Sequence, residues 1–413
     1  MRKAAVAVGV TLLVLVGIGV AVVLHRERMG RDVRGSSTVE YNVTQIERPV
    51  RHPEKIVWPT YGFDGSRLRV GPVSRLRPPF RVAWLAGGRS LLEFPPSIAY
   101  GRLYLTNGAG TVLAFSTKTG ARAWDYPTRR CAAASPTVGD YKHGTVYAVF
   151  LNRRPCTRRA DDGEVVALSV GTGELRWSRR IGASETSPLL VGNRLYVGDW
   201  LGKVYCLDAR TGKTLWTFTA GGAVKGGVAI EGKHLFVGAY DGHVYALNPA
   251  TGRLIWRASG DPRLFGHGTF YSTPAVAYDR VYIGSTDGKI YSFGAQTGRR
   301  RWSHSTGGYV YGSPAVWDHR VYVGSYDHTF YAFDAATGAP VWRFHANGPI
   351  SGSATVINGV VYFATLKRRT YALDARSGRL LWSFPDGEYS PVVSDLTHVY
   401  LLGYARLYGL VPR

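Results

Sequence analysis

The chain has 413 residues, 45% of them hydrophobic, with 51 Gly and 26 Tyr, which is ample for one large core and allows one to three domains. Few stretches carry apolar residues at helical spacing, so helical classes are excluded; short β-branched and aromatic runs between Gly, Asp and Pro predict an all-β fold. The formal net charge is +23, and Arg supplies most of it.

In chain order the first element is the apolar run "AAVAVGVTLLVLVGIGVAVVL" at 4–24. Its length spans a bilayer as a helix. No small-residue cleavage site follows it, so an uncleaved signal anchor is predicted behind a cytoplasmic stub at 1–3, with a cleaved signal peptide as the alternative. Arg26, Arg28, Arg31 and Arg34 after the run oppose export by the positive-inside rule. Export of the remainder is nonetheless the expectation, because a stub of three residues is an unusual thing to translocate alone. Residues 25–79 read as a basic, solvated linker and lead-in; Arg67, Arg69, Arg75, Arg77 and Arg81 are candidates to lie along anionic headgroups.

From residue 80 to 413 the chain repeats. Trp84, Trp124, Trp177, Trp216, Trp256, Trp302, Trp342 and Trp382 stand 40, 53, 39, 40, 46, 40 and 40 residues apart. A period near 40 marks a propeller or solenoid. Each unit, such as "STPAVAYDRVYIGSTDGKIYSFGAQTGRRRW" at 272–302, gives three short strands, tight turns and a Trp strand. That is one four-stranded antiparallel blade. Asp-Gly and Thr-Gly supply the positive φ that the turns need. The Trp is expected to fill the gap between neighbouring blades. The first Trp strand, "RVAWL", has no inner strands before it, and the last inner set, at 390–411, has no Trp strand after it. The two halves complete one blade, so an eight-bladed propeller closed by both ends of the chain is predicted.

The pattern D-A-x-T-G-x-x-x-W, written "DARTGKTLW" at 208–216, resembles the pyrroloquinoline-quinone-like propeller repeat, as does the lead-in "WPTYGFD" at 58–64. The resemblance covers about four-fifths of the chain. It implies the fold and leaves activity open, because the superfamily holds both quinoprotein dehydrogenases and the non-enzymatic propeller lipoprotein of the outer-membrane β-barrel assembly machinery. For the dehydrogenases it implies Ca²⁺ held by Glu, Asn and Asp beneath a quinone, an Asp base and often a vicinal Cys-Cys. This chain has 3 Cys, none adjacent, and sparse acids, most of them in turns; Asp241, Asp287 and Asp327 share one hairpin position and read as turn residues. No metal site and no cofactor is expected, with pyrroloquinoline quinone and Ca²⁺ reserved for the dehydrogenase alternative.

Strand alternation puts the loops between blades and those between second and third strands on one face, here called the top. The two longest insertions, 149–166 and 258–273, both fall there. One-sided insertions often mark a binding face. Cys131 and Cys156 map to the same face and are predicted to pair, which points to an oxidising compartment. Cys206 reads as a small buried residue. Arg129, Arg130, Arg153, Arg154, Arg158 and Arg159, with Arg368 on the seventh blade, are the candidate basic binding residues. Trp200, His267 and Tyr311 are the candidate top-face ring contacts. The sequence therefore reads as a membrane-tethered, extracytoplasmic propeller that binds a protein partner of the cell envelope. The alternatives are a quinoprotein alcohol or sugar dehydrogenase and a binder of anionic glycans or lipid headgroups; nucleic acid is discounted for an exported domain.

Overall fold

The computed structural model describes residues 11, 13–21, 23, 32–45, 55–154, 156, 160–263 and 266–413. Eight antiparallel sheets follow one another, joined through neighbouring innermost strands. Blade 1 comprises Ser97–Ala99, Arg102–Thr106, Thr111–Ser116 and Arg122–Pro127. The innermost strands of blades 2 to 7 are Thr137–Gly139, Leu189–Val191, Ala229–Glu231, Ala275–Ala277, Ala315–Trp317 and Thr355–Ile357. Blade 8 takes Val393–Ser394, Val399–Leu402 and Arg406–Pro412 from the C-terminal end and Phe80–Gly87 from the N-terminal side. Those last two strands zip antiparallel, with Val82 opposite Leu410 and Leu85 opposite Tyr408.

What repeats every 40 or so residues is a lock between blades. Seven of the eight Trp side chains donate Nε1–H to a carbonyl in the turn before the next blade's outer strand, at 2.9–3.1 Å. In six blades a tyrosine hydroxyl from the second strand donates to the same oxygen, as Tyr196 and Trp216 do to Pro249. One carbonyl thus has both lone pairs filled. The Gly of each Thr-Gly or Ser-Gly in that turn has φ between 67° and 75°. It also lies flat on the preceding blade's Trp ring; a Cβ added there would meet ring carbon at 2.4–2.7 Å. Gly is therefore required twice over, for its backbone angle and for the missing side chain. Blade 8 has no such turn, because both chain ends meet there. Trp382 instead takes Phe80 edge-on at 5.3 Å, and the Tyr362 hydroxyl is buried without a partner.

The segment before the ring is not a free linker. Asp32–Gln45 lies along blades 5 and 6: Val33 bridges Ser303, Glu40 pairs with Arg301, and the buried Arg280 donates to the carbonyls of Ser36, Val39 and Glu40. From Ile56 the chain crosses the axis. Ile56–Trp58 adds a fifth strand to blade 1, and the carbonyls of Pro59, Gly65, Ser66, Leu68 and Arg69 accept N–H bonds from Val138, Ile230, Val276, Val316 and Val356. One strap therefore touches the innermost strands of blades 1, 2, 4, 5, 6 and 7. Arg67 and Arg69, expected at the surface, are 0% and 1% exposed. Arg67 donates to the carbonyls of Val228, Ser187 and Pro188, and Arg69 reaches Pro314 and lies 4.8 Å over the Tyr61 ring. Arg75, Arg77 and Arg81 are exposed.

Residues 13–21 are helical. Among the described residues no helix is long and apolar enough to cross a membrane, and residues 4–10, 12, 22 and 24 of the predicted span 4–24 lie outside the described residues.

The lock predicts a contrast between two glycines of positive φ. Gly192, with open space around it, is expected to tolerate Ala at about 1 kcal/mol. Gly252→Ala drives a methyl into Trp216 and is expected to cost about 2 kcal/mol more. Urea denaturation of both variants measures the difference; equal losses would mean that backbone angle alone selects the glycine.

Candidate functional site

Aligned on the residue just ahead of each innermost strand (Pro96, Pro136, Pro188, Val228, Pro274, Pro314, Ala354 and, two residues ahead, Pro391), the eight repeats share a position three residues earlier. In blade order it holds Glu93, Ala133, Glu185, Lys225, Tyr271, Tyr311, Ser351 and Glu388. Six of these line one recess at the axial end of the top face, with Phe94, Tyr389 and, at its floor, Tyr61. Two residues further along, hydroxyls form a belt between blades: Thr273 N–H donates to Ser313, Ser313 N–H to Ser353, and Gly227 N–H to Thr273. The Tyr61 hydroxyl closes the floor against Ser313 and Ser353. The strap that plugs the axis thus also builds the base of the funnel.

The walls are unequal. Glu93 and Glu185 hold one side, with Glu388 adding negative charge beside Glu93 from outside the lining; Lys225, Tyr271 and Tyr311 hold the other. The Lys225 ammonium stands 3.1 Å from Glu185, 4.4 Å over the Trp200 ring and 5.0 Å over Tyr240. Trp200 Nε1–H donates to the same Glu185 at 2.9 Å. Burial, with the negative charges of Glu185 and Glu388 nearby, pushes the Glu93 carboxyl up to about 7. Burial and then the charges of Glu185 and Glu93 push the Tyr271 hydroxyl far above its usual range.

Of the residues singled out by sequence, Trp200 and Tyr311 stand at this funnel. Tyr311 packs edge-on against Tyr271 at 5.4 Å and Tyr326 at 5.1 Å. Arg368 reaches it only weakly, 3.9 Å from Glu388 and 5.4 Å over Tyr404. The basic group of blade 2 forms a separate shallow groove lined by Arg129, Arg130, Arg153, Arg154 and Arg180. Within it Arg130 is 3% exposed and is tied to Asp162 and Glu164, so it holds the loop together rather than facing a ligand. Arg154 donates to the Ala109 carbonyl, and Arg153 pairs its backbone with Arg130. Arg158, Arg159 and the side chain of His267 lie outside the described residues. Cys131 and Cys156 are joined as a disulfide with Cα atoms 6.0 Å apart, and Cys206 is buried and free. Asp241, Asp287 and Asp327 accept hydroxyl bonds from Tyr245, Tyr291 and Tyr331, which fixes them as turn residues. Sequence reasoning placed Tyr271 among the top-loop aromatics and missed Glu93, Glu185, Lys225 and Glu388. Their signal was charge and aromatic character concentrated at one repeat position.

The model for the family described as outer membrane protein assembly factor BamB matches residues 81–189, 161–308 and 306–410. The chain belongs to this family. It is 28% identical over 177 residues to outer membrane protein assembly factor BamB of Burkholderia pseudomallei, covering 38% of this chain and 43% of that one. It is 24% identical over 203 residues to quinoprotein alcohol dehydrogenase PedH of Pseudomonas putida, covering 44% of this chain and 33% of that one. The chain thus spans less than half the length of these curated relatives. Among solved structures, BamB from Moraxella catarrhalis superimposes with a TM-score of 0.64 at 19% identity, over 81% of this chain and 100% of that one. Quinohemoprotein alcohol dehydrogenase from Comamonas testosteroni superimposes with a TM-score of 0.72 at 15% identity, over 88% and 81%. At these identities the structures establish the fold alone.

The funnel's donors do not suit a Ca²⁺–quinone pair. Among the described residues no three His, Cys, Asp or Glu side chains converge closely enough to hold a metal ion, and Glu185 is engaged by Lys225 and Trp200. The recess holds about 70 Å³, against roughly 300–1,000 Å³ for pockets that take drug-sized ligands.

Glu93 makes a pH prediction. Its folded pKa, about 7, lies above the ordinary 4.5, so between those values the folded chain keeps a proton that the unfolded chain has released. Stability from this group is present below pH 4.5 and is lost as pH rises through about 7. Glu93→Gln removes the effect, and its stability relative to the parent should climb by on the order of 2 kcal/mol between pH 5 and 8 in paired urea titrations. Glu231, also raised to about 7 mainly by burial, is common to both proteins and cancels. A difference independent of pH would place Glu93 in water. Separately, reduction of the Cys131–Cys156 bond, which closes a separation of 25 residues, should cost about 3 kcal/mol.

Proposed function

We propose that this chain is a membrane-anchored, extracytoplasmic scaffold that binds a protein partner of the cell envelope through its top face and performs no chemistry. The observation that carries the reading is the funnel. It is preformed, narrow and floored by the chain's own strap, and it offers a side-chain-sized recess of tyrosines and carboxylates. Membership of the outer membrane protein assembly factor BamB family agrees with a binding role. The apolar run at 4–24 supports anchoring and the Cys131–Cys156 bond supports an oxidising compartment.

Two other readings each have one observation behind them. Similarity to PedH favours a quinone-dependent dehydrogenase. The exposed Arg129 and Arg154 in the groove of blade 2 favour an anionic glycan or lipid headgroup. A photo-reactive phenylalanine at Tyr309, 48% exposed beside Tyr311, tests the scaffold directly. In living cells it is expected to yield a discrete protein adduct. The same probe at Arg210, in a turn on the opposite face, should give none. Adducts from Arg210 only, or stoichiometric binding of pyrroloquinoline quinone with Ca²⁺ to the purified chain, would sink the scaffold reading. Protease added to spheroplasts should degrade the propeller; full protection would refute export.

A further inference from the structure

We propose that the funnel is a receptor for one lysine or arginine side chain presented by the partner, and that Lys225 is a tethered occupant holding part of that seat. The inference deepens the protein-binding reading and rests on it. The first ground is chemical. The chain's own ammonium already lies in the surroundings such a cation would want: a carboxylate at 3.1 Å and aromatic faces at 4.4 and 5.0 Å. The second is a charge imbalance. Glu93 and Glu185 line one recess, Glu388 adds its charge beside Glu93, and Lys225 serves only Glu185. Glu93 makes no ion pair among the described residues, and Arg368 stands 3.9 Å from Glu388 with its own side chain 61% exposed. A mostly buried carboxylate without a counter-charge is costly unless a cation arrives or a proton stays.

The third ground is shape. About 70 Å³ between Tyr271, Tyr311, Tyr389 and Phe94 admits the end of one long side chain and excludes a fused-ring cofactor. The equivalent position in blade 7, Ser351, puts a small residue in the lining. The overall charge of +23 does not oppose this, because a local cluster inside a low-dielectric recess sets the field there. A partner segment carrying one buried cation and otherwise neutral or acidic residues suits both the funnel and the basic exterior.

The test uses the full chain with n-butylammonium and n-butylguanidinium as side-chain probes and n-butanol as the neutral control. Trp200 fluorescence, taken against Trp200→Phe, reports occupancy. Saturable millimolar binding of the cations but not the alcohol is expected. Glu93→Gln should weaken it about tenfold. Lys225→Met, which vacates Glu185 and the Trp200–Tyr240 wall, should tighten it severalfold. Thermal melts establish that both variants are folded. No saturable response from the parent or from Lys225→Met up to about 50 mM, or an equal response to n-butanol, overturns the cation seat. The two levels of the reading separate cleanly. A Tyr309 protein adduct that forms undiminished in Glu93→Gln leaves the scaffold standing and removes the seat. Cation binding without any adduct supports the seat and removes the protein scaffold.

Discussion

The structure depends on one carbonyl per blade. In six of the eight blades it takes a Trp N–H and a Tyr O–H together, in the turn whose Gly lies under that same Trp ring. A single blade has two apolar faces and cannot bury either alone, so the ring exists only if each blade grips the next. The Trp supplies apolar area, the hydrogen bond fixes its position, and the missing Cβ lets the turn come close enough. Where the lock cannot form, at the seam of blade 8, the chain substitutes an aromatic edge from Phe80 and leaves the Tyr362 hydroxyl unpaired.

Because the outer part of every blade is committed to this lock, variation is left to positions that face the axis. Those positions can differ blade by blade without disturbing the interfaces. Here they hold two carboxylates, a lysine and two tyrosines around one recess. The strap at 56–71 makes the recess a funnel rather than a pore. It sends five carbonyls into the innermost strands, buries Arg67 and Arg69 against carbonyls, and sets the Tyr61 hydroxyl as the floor. Fold and site are therefore built by different residues of the same repeat.

This division explains why the fold is shared by assembly factors and dehydrogenases alike. The lock specifies a ring and is silent about its axis. The chemistry of this chain follows from the funnel's own donors, which bind each other or stand too far apart to chelate. The basic groove of blade 2 tells a similar story. Arg130, which charge alone marked as a contact, is held by Asp162 and Glu164 and serves the loop.

The sequence by itself determined the all-β class, the number of blades and the closure of blade 8, because a period near 40 and the unmatched half-blades at each end are properties of spacing. It also marked Trp200 and Tyr311 as aromatics of the top-face loops. It misread Arg67 and Arg69, because a guanidinium in a polar stretch belongs at the surface unless carbonyls from distant strands receive it, and Val228 and Pro314 lie some 160 and 245 residues away. Only the tertiary structure decided the site. Glu93, Glu185 and Glu388 are separated by whole blades in the chain and meet because ring closure brings equivalent loop positions to one axis. Which of the repeat's positions points inward is a matter of blade twist and of the strap beneath it, and neither is written in the local pattern.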